Sequence, residues 1–244
     1  GKASEWPSIV SIPLDIVDMV VLVAGGFVVL GEVLAPIILL PLIHFLTKGI
    51  TGPVSDSLSI FLGYCIMTTP PLLIIRQQIN AIKDIDMPKD GWFQWRFVPF
   101  LSAFFKAFRG WLMVMPLVLL TGWIMNSLVG DQGGSNPLLE IVLGSNSSMA
   151  LILLLITTVF VAPLFEEFIF RGALLPVLAK QFGSFWAVIF SALAFALAHL
   201  SVGELPPLLV LGLGLGILRL SSGALFPCIL MHSLWNGFTF TSLL

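Results

Sequence analysis

Charged residues punctuate this chain at wide intervals, and the uncharged runs between them predict its elements. Residues 57–75 lie between Asp56 and Arg76, residues 110–130 between Arg109 and Asp131, residues 141–165 between Glu140 and Glu166, and residues 181–198 between Lys180 and His199. A helix of about 20 apolar residues crosses ~30 Å of hydrocarbon, so each run reads as a membrane span. The run from Val17 to Phe45 is longer, contains Glu32, and is broken by Pro36 and Pro41. Residues 205–218, between Glu204 and Arg219, make a run short for a lipid-facing helix but sufficient for one shielded by neighbours. Its GLGLG stretch (Gly212, Gly214, Gly216) lets another helix approach closely. Beyond Arg219 the apolar character continues, interrupted only by His232. The pattern predicts an all-α polytopic transmembrane bundle of about seven spans, without internal repeats or a soluble domain.

Composition agrees. The chain is 58% hydrophobic and 10% charged, with a mean hydropathy of +1.06, whereas a soluble domain carries about 25% charged residues. Such a chain cannot cover a water-facing surface. Its net charge of −2, with no basic cluster, excludes a nucleic-acid partner and leaves the lipid bilayer as the first partner. Cys65 and Cys228 both sit in apolar runs, which predicts buried thiols rather than a disulfide framework or a zinc site.

Charge also orients the bundle. Seven spans put all but Lys48 of the lysines and arginines on one side, most of them between Arg76 and Arg109. The positive-inside rule then assigns the amino terminus to the cytoplasm or its plastid equivalent, the stroma. The loop GDQGGSNPLLE, residues 130–140, has no basic residue and belongs on the far side. The stretch GWFQWRFVPFLSAFFKAFRGW, residues 91–111, interleaves aromatic rings with Arg96, Lys106 and Arg109, and reads as an interfacial helix.

Against this background FEEFIFRG, residues 165–172, stands out. An ionisable side chain within a span costs roughly 2.5–3.5 kcal/mol and normally faces the bundle interior. Glu167 and Arg171 are four residues apart, in the favourable acid-first order for a helical ion pair. Glu166 points about 100° away from that pair. A carboxylate held in a dry interior can take up and return a proton.

Spacing supplies candidate partners. With QFGSF, centred on Gly183, as the tip of an antiparallel helix pair, Glu167 and His199 lie equally far from the tip along the sequence. At ~1.5 Å per residue both stand ~24 Å from it. A glutamate and a histidine at one depth can hold and deprotonate a water molecule. Phe195 shares a face with His199 and is expected to wall the site. In HSLWN, His232 and Asn236 share a face of the last helix; an imidazole N–H and an amide NH₂ make a donor pair suited to an oxyanion.

EEFIFR fits Glu-Glu-x-x-x-Arg, FALAH fits Phe-x-x-x-His and HSLWN fits His-x-x-x-Asn, in that order. Over residues 148–244 this set resembles the CAAX-protease and bacteriocin-processing (CPBP, or ABI) family of intramembrane glutamate proteases. QGGSNPLLE and HLSVGELPP resemble its cyanobacterial and plastid branch. The resemblance implies two regions, transmembrane helices and the interfacial helix in residues 1–147 and a catalytic helical core in residues 148–244. It implies water activation by Glu166 and His199 and an oxyanion hole of His232 and Asn236, with Glu167, Arg171 and Phe195 supporting. It further implies a membrane protein or peptide as substrate, and photosynthetic membrane proteins as partners.

Other chemistries compete less well. Glu166, His199 and His232 could form an open zinc site, but HExxH is absent, so no cofactor is expected and zinc is the minority reading. No GxSxG occurs for a serine nucleophile. His44 reads as interfacial and Glu32 as satisfying a broken helix, while Glu204, beside Pro206 and Pro207, reads as a turn residue in preference to a carboxylate supporting the site. A non-proteolytic scaffold that holds photosynthetic or pigment-metabolism membrane proteins is the alternative class. A transporter is disfavoured, since the polar residues concentrate in one C-terminal set without inverted repeats.

Overall fold

A computed structural model describes residues 12–46, 49–50, 52–81, 88, 90–97, 99–130, 144 and 146–244. Lys2, Lys48, Lys83, Lys89, Glu140, the QGGSNPLLE stretch and the side chains of Glu32 and Pro36 lie outside the described residues. Among the described residues the regular structure is all helix, as the run pattern predicts. We number the helices α1 (residues 16–46), α2 (Pro53–Ala81), α3 (Phe100–Val129), α4 (residues 148–182), α5 (residues 184–198), α6 (Leu205–Ser222) and α7 (Phe226–Ser242). Pro53–Asn80, Phe100–Val129, Ser148–Ala198 and Leu205–Ser222 are long and apolar enough to cross a membrane.

The path Ser148–Ala198 is two arms rather than one rod. Gly183 separates α4 from α5 at φ 78 and ψ 163, a conformation open in practice only to glycine. The chain reverses there. Across the turn the Ser191 hydroxyl donates to Phe170 O at 3.2 Å, and the Phe170 and Phe195 rings meet edge to face at 5.3 Å. The antiparallel pair expected from the sequence around Gly183 is therefore formed.

α6 is the helix that the others shield. α6 buries Leu211, Leu215, Leu218 and Leu220, whereas α3 leaves Leu112, Met113, Leu117 and Leu120 exposed, so α6 is the more shielded of the two. At Gly212 an added Cβ would lie 3.0 Å from the Cα of Ala192, which is why α5 and α6 can touch backbone to backbone. At the opening of α1 the Asp15 carboxylate accepts from the Asp18 N–H at 2.9 Å and Asp18 returns the bond at 3.1 Å. That reciprocal cap fixes where the first helix begins.

The stretch 91–111 is not an interfacial helix. Gly91, Gln94 and Arg96 have φ of 72°, 50° and 49°, and Pro99 occupies the N-cap of α3 with extended φ/ψ. These left-handed residues end any helix, so residues 90–97 fold as turns, while residues 100–111 form the first turns of the spanning α3. The turn segment lies on the bundle: Leu225 N–H donates to Gln94 O, Phe226 N–H to Trp95 O, and Phe93 stacks on Phe168 at 4.0 Å.

Candidate active site

The two glutamates sit on a six-residue α-helical stretch, Ala162–Glu167, between two wider turns. The N–H of Ala162 reaches Thr157 O and that of Leu175 reaches Phe170 O, each five residues back. Such bulges rotate the register of the succeeding turns and recur at functional sites. The first has a direct consequence. With Ala162 bonded to Thr157, and Pro163 lacking an N–H, no helical donor serves the Thr158 carbonyl. Asn236 of α7 serves it, its Nδ2 donating at 2.8 Å.

Glu167 and Arg171 pair as the spacing predicts, Arg171 Nη1 donating to Glu167 Oε1 at 2.9 Å with both side chains fully buried. Arg171 Nη2 also donates to Gly212 O at 3.2 Å, tying α4 to α6 where the glycine admits close contact. The same Glu167 Oε1 lies 2.9 Å from His232 Nδ1. Glu167 thus joins α4 to α7 as well as to its own helix, a contact that single-helix spacing could not reveal.

Glu166 faces the other way. Its Oε2 lies 3.9 Å from His199 Nε2 and 3.7 Å from His232 Nε2, so the two imidazoles converge on one carboxylate oxygen. The other ring nitrogens are committed. His199 Nδ1 meets Phe195 O at 2.8 Å, and because a carbonyl oxygen only accepts, Nδ1 carries the hydrogen. His232 Nδ1 likewise donates to the Glu167 carboxylate. Both neutral rings therefore turn an Nε2 lone pair toward Glu166. In the neutral ring the His232 N–H serves Glu167, and Nε2 becomes a donor in the doubly protonated ring. Asn236, with one amide hydrogen on Thr158, has a second one for the cavity.

Glu166, His199, His232 and Asn236 all line one cavity of about 540 Å³. Glu167, Arg171 and Phe195 lie outside its wall. Phe195, expected as the wall, is instead the wedge beneath it: fully buried, edge-on to the His199 and His232 rings at 4.8 and 5.7 Å, with Arg171 Cζ 4.4 Å from its centroid. The ring fixes both imidazoles and screens the guanidinium through its π face. The cavity wall is mostly apolar, with Leu119, Trp123, Trp235 and Phe240 among its residues, and Tyr64 and Glu204 also reach it. Glu204, read as a turn residue in preference to a carboxylate supporting the site, stands on the turn and also lines the cavity.

Sequence reasoning missed two residues. Arg219, grouped with the loop charges, is fully buried; its Nε donates to Arg171 O at 3.2 Å and its Nη2 to Gln94 Oε1 at 2.9 Å. The Thr158 carbonyl was not legible: in a regular helix Pro163 would leave Val159 without a donor, four residues back, and the wider turn at Ala162 moves the vacancy to Thr158. Cys65 and Cys228 form no disulfide; Cys228 is buried as expected, its thiol reaching Leu215 O at 3.6 Å, whereas Cys65 is only half-buried. Among the described residues no group of three His, Cys, Asp or Glu side chains has the arrangement of a metal site.

Residues 148–238 match the family model described as type II CAAX prenyl endopeptidase Rce1-like. No curated protein and no solved structure matches the chain. The matched stretch runs from α4 into α7 and contains Glu166, Glu167, Arg171, Phe195, His199, His232 and Asn236, with α1, α2 and α3 outside it. It falls within the region that carries the CPBP resemblance and supports that reading at the level of the family.

Proposed function

We propose that this chain is an intramembrane endopeptidase that hydrolyses a peptide bond with water activated by Glu166 and His199. The observation that carries the reading is the convergence of two Nε2 atoms on Glu166 Oε2 inside an apolar cavity. Separations of 3.7–3.9 Å are too long for direct hydrogen bonds, but suit a water bonded to both groups at about 2.8 Å. The water oxygen attacks the substrate carbonyl carbon while its proton passes to Glu166. The resulting oxyanion accepts from the second Asn236 amide hydrogen and from His232 Nε2–H in its doubly protonated state, when Glu167 lies opposite its Nδ1–H. Collapse breaks the C–N bond, and Glu166 returns the proton to the leaving amine.

Glu167 and Arg171 are positioning residues in this reading, since they reach the reacting atoms only through His232 and the helix pair. The family match supports a protease acting on a membrane protein or peptide, and the name of the matching family points to prenylated CAAX peptides as one candidate class. The resemblance of HLSVGELPP supports a plastid or cyanobacterial membrane, with the amino terminus in the stroma or cytoplasm. The test is complementation of a loss-of-function strain with Glu166→Ala. Loss of function with accumulation of an uncut membrane protein is expected. Full rescue would replace the protease with a scaffold.

A further inference from the structure

Among the carboxylates and imidazoles lining the cavity, the hydrolytic mechanism uses Glu166, His199 and His232 and leaves Glu204 without a task. Glu204 stands on the turn from α5 to α6, five residues beyond His199, in the N-cap position of α6. A carboxylate there ordinarily bonds the second or third amide of its helix. In α6 those positions are Pro206 and Pro207, which have no N–H, and Glu204 makes no cap bond. Among the described residues its side chain has no hydrogen bond or ion pair, and it is exposed. Two prolines thus deny the carboxylate its local partner and leave it to the cavity.

The electrostatics of the lining have one sign. Two carboxylates, Glu166 and Glu204, and no lysine or arginine line the cavity. The nearby Arg171 is engaged by Glu167 and Gly212. We propose that Glu204 is a specificity-determining residue that selects apolar peptide segments carrying a lysine or arginine side chain near the bond to be cut, and that the cavity disfavours a free carboxylate there. The proposal rests on the endopeptidase reading for what is cut, but not for what is bound. Five residues of chain, folded largely as a turn, carry His199 to Glu204, so the two stand no farther apart than the ~17 Å that about five extended substrate residues span. The cationic side chain therefore falls within about five residues of the scissile bond.

The test uses the full chain in detergent, purified as Glu166→Gln so that substrate binds without turnover. The probes are fluorescent apolar peptides identical except for Arg, Gln or Glu at one position, moved in turn along the peptide, with free or amidated carboxyl ends. At the responsive position affinity should order Arg, Gln, Glu, each step reaching about fivefold, the ceiling for a solvent-touched ion pair. Adding Glu204→Gln should bring Arg and Gln peptides within about twofold, Glu204→Lys should invert the order, and Glu204→Asp should keep it. An order that survives Glu204→Gln as well as Glu204→Asp overturns the proposal, and so does no binding of any peptide. If the order holds but the unsubstituted protein cuts none of the peptides, cation selection stands and the endopeptidase reading fails. Cleavage without any order has the opposite meaning.

Discussion

Glu166 and Glu167 are adjacent in sequence, yet their substitution should produce different failures. Glu167 Oε1 accepts from Arg171 Nη1 and His232 Nδ1, both at 2.9 Å, with no solvent reaching the carboxylate or the guanidinium. Glu167→Gln keeps the shape and removes the counter-charge of a fully buried arginine. Breaking a buried pair from one side commonly costs ~3–5 kcal/mol. At about 2–4 °C per kcal/mol for a chain of this length, the melting temperature should fall by roughly 6–20 °C. Glu166→Gln, by contrast, removes a carboxylate whose ion-pair contacts are histidines at 3.7–3.9 Å, so melting should hold within a few degrees. Its peptide cleavage should fall by the ~10²–10⁴-fold typical of a general base. The double change Glu167→Gln with Arg171→Met removes the stranded cation and should recover part of the stability. Cleavage should stay low in it, because His232 still lacks its carboxylate. The assay is melting of the solubilised protein alongside cleavage of one peptide for all three variants. If Glu167→Gln melts like the unsubstituted protein while Glu166→Gln unfolds, the two roles are reversed and the reasoning is refuted.

Asn236→Ala should lower kcat by about 10²–10³-fold with little change in KM, the signature of a lost oxyanion donor; an effect confined to KM would remove Asn236 from that role. Gly212→Val should destabilise the fold, because its Cβ would stand 3.0 Å from backbone Cα of Ala192, and a cost of about 1–3 kcal/mol read as a lower melting temperature is expected. Unchanged melting would mean that α5 and α6 do not pack so closely. Cysteines introduced as Asp90→Cys and Ser135→Cys should be labelled from opposite sides of a sealed membrane. Equal labelling from one side would reject the orientation drawn from lysine and arginine.

Features that depend on short-range periodicity were legible in the sequence. The uncharged runs give the helices because one physical requirement, the thickness of the hydrocarbon, sets their length. The Glu167–Arg171 pair follows from i,i+4 geometry, and the common depth of Glu167 and His199, which brings the neighbouring Glu166 to the histidine, follows from counting outward from Gly183. The features that escaped depend on contacts between helices far apart in sequence, or on departures from regular geometry. The bond from His232 to Glu167 spans α4 to α7, beyond the reach of spacing within one helix. The i→i−5 bond at Ala162 changes register by one residue, and no periodicity announces it. The burial of Arg219 depends on Gln94, whose left-handed backbone arises in a segment that aromatic content alone makes resemble an amphipathic helix.

The most direct test of the account is hydrolysis in ¹⁸O-labelled water by the purified protein, with and without Glu166→Gln. Mass spectrometry of products from an apolar, arginine-bearing peptide should find one ¹⁸O in each newly formed carboxyl group. The Glu166→Gln protein, melting at the same temperature, should yield about 10²–10⁴-fold less of it. Equal labelled product from both proteins would contradict the central claim that Glu166 activates the water.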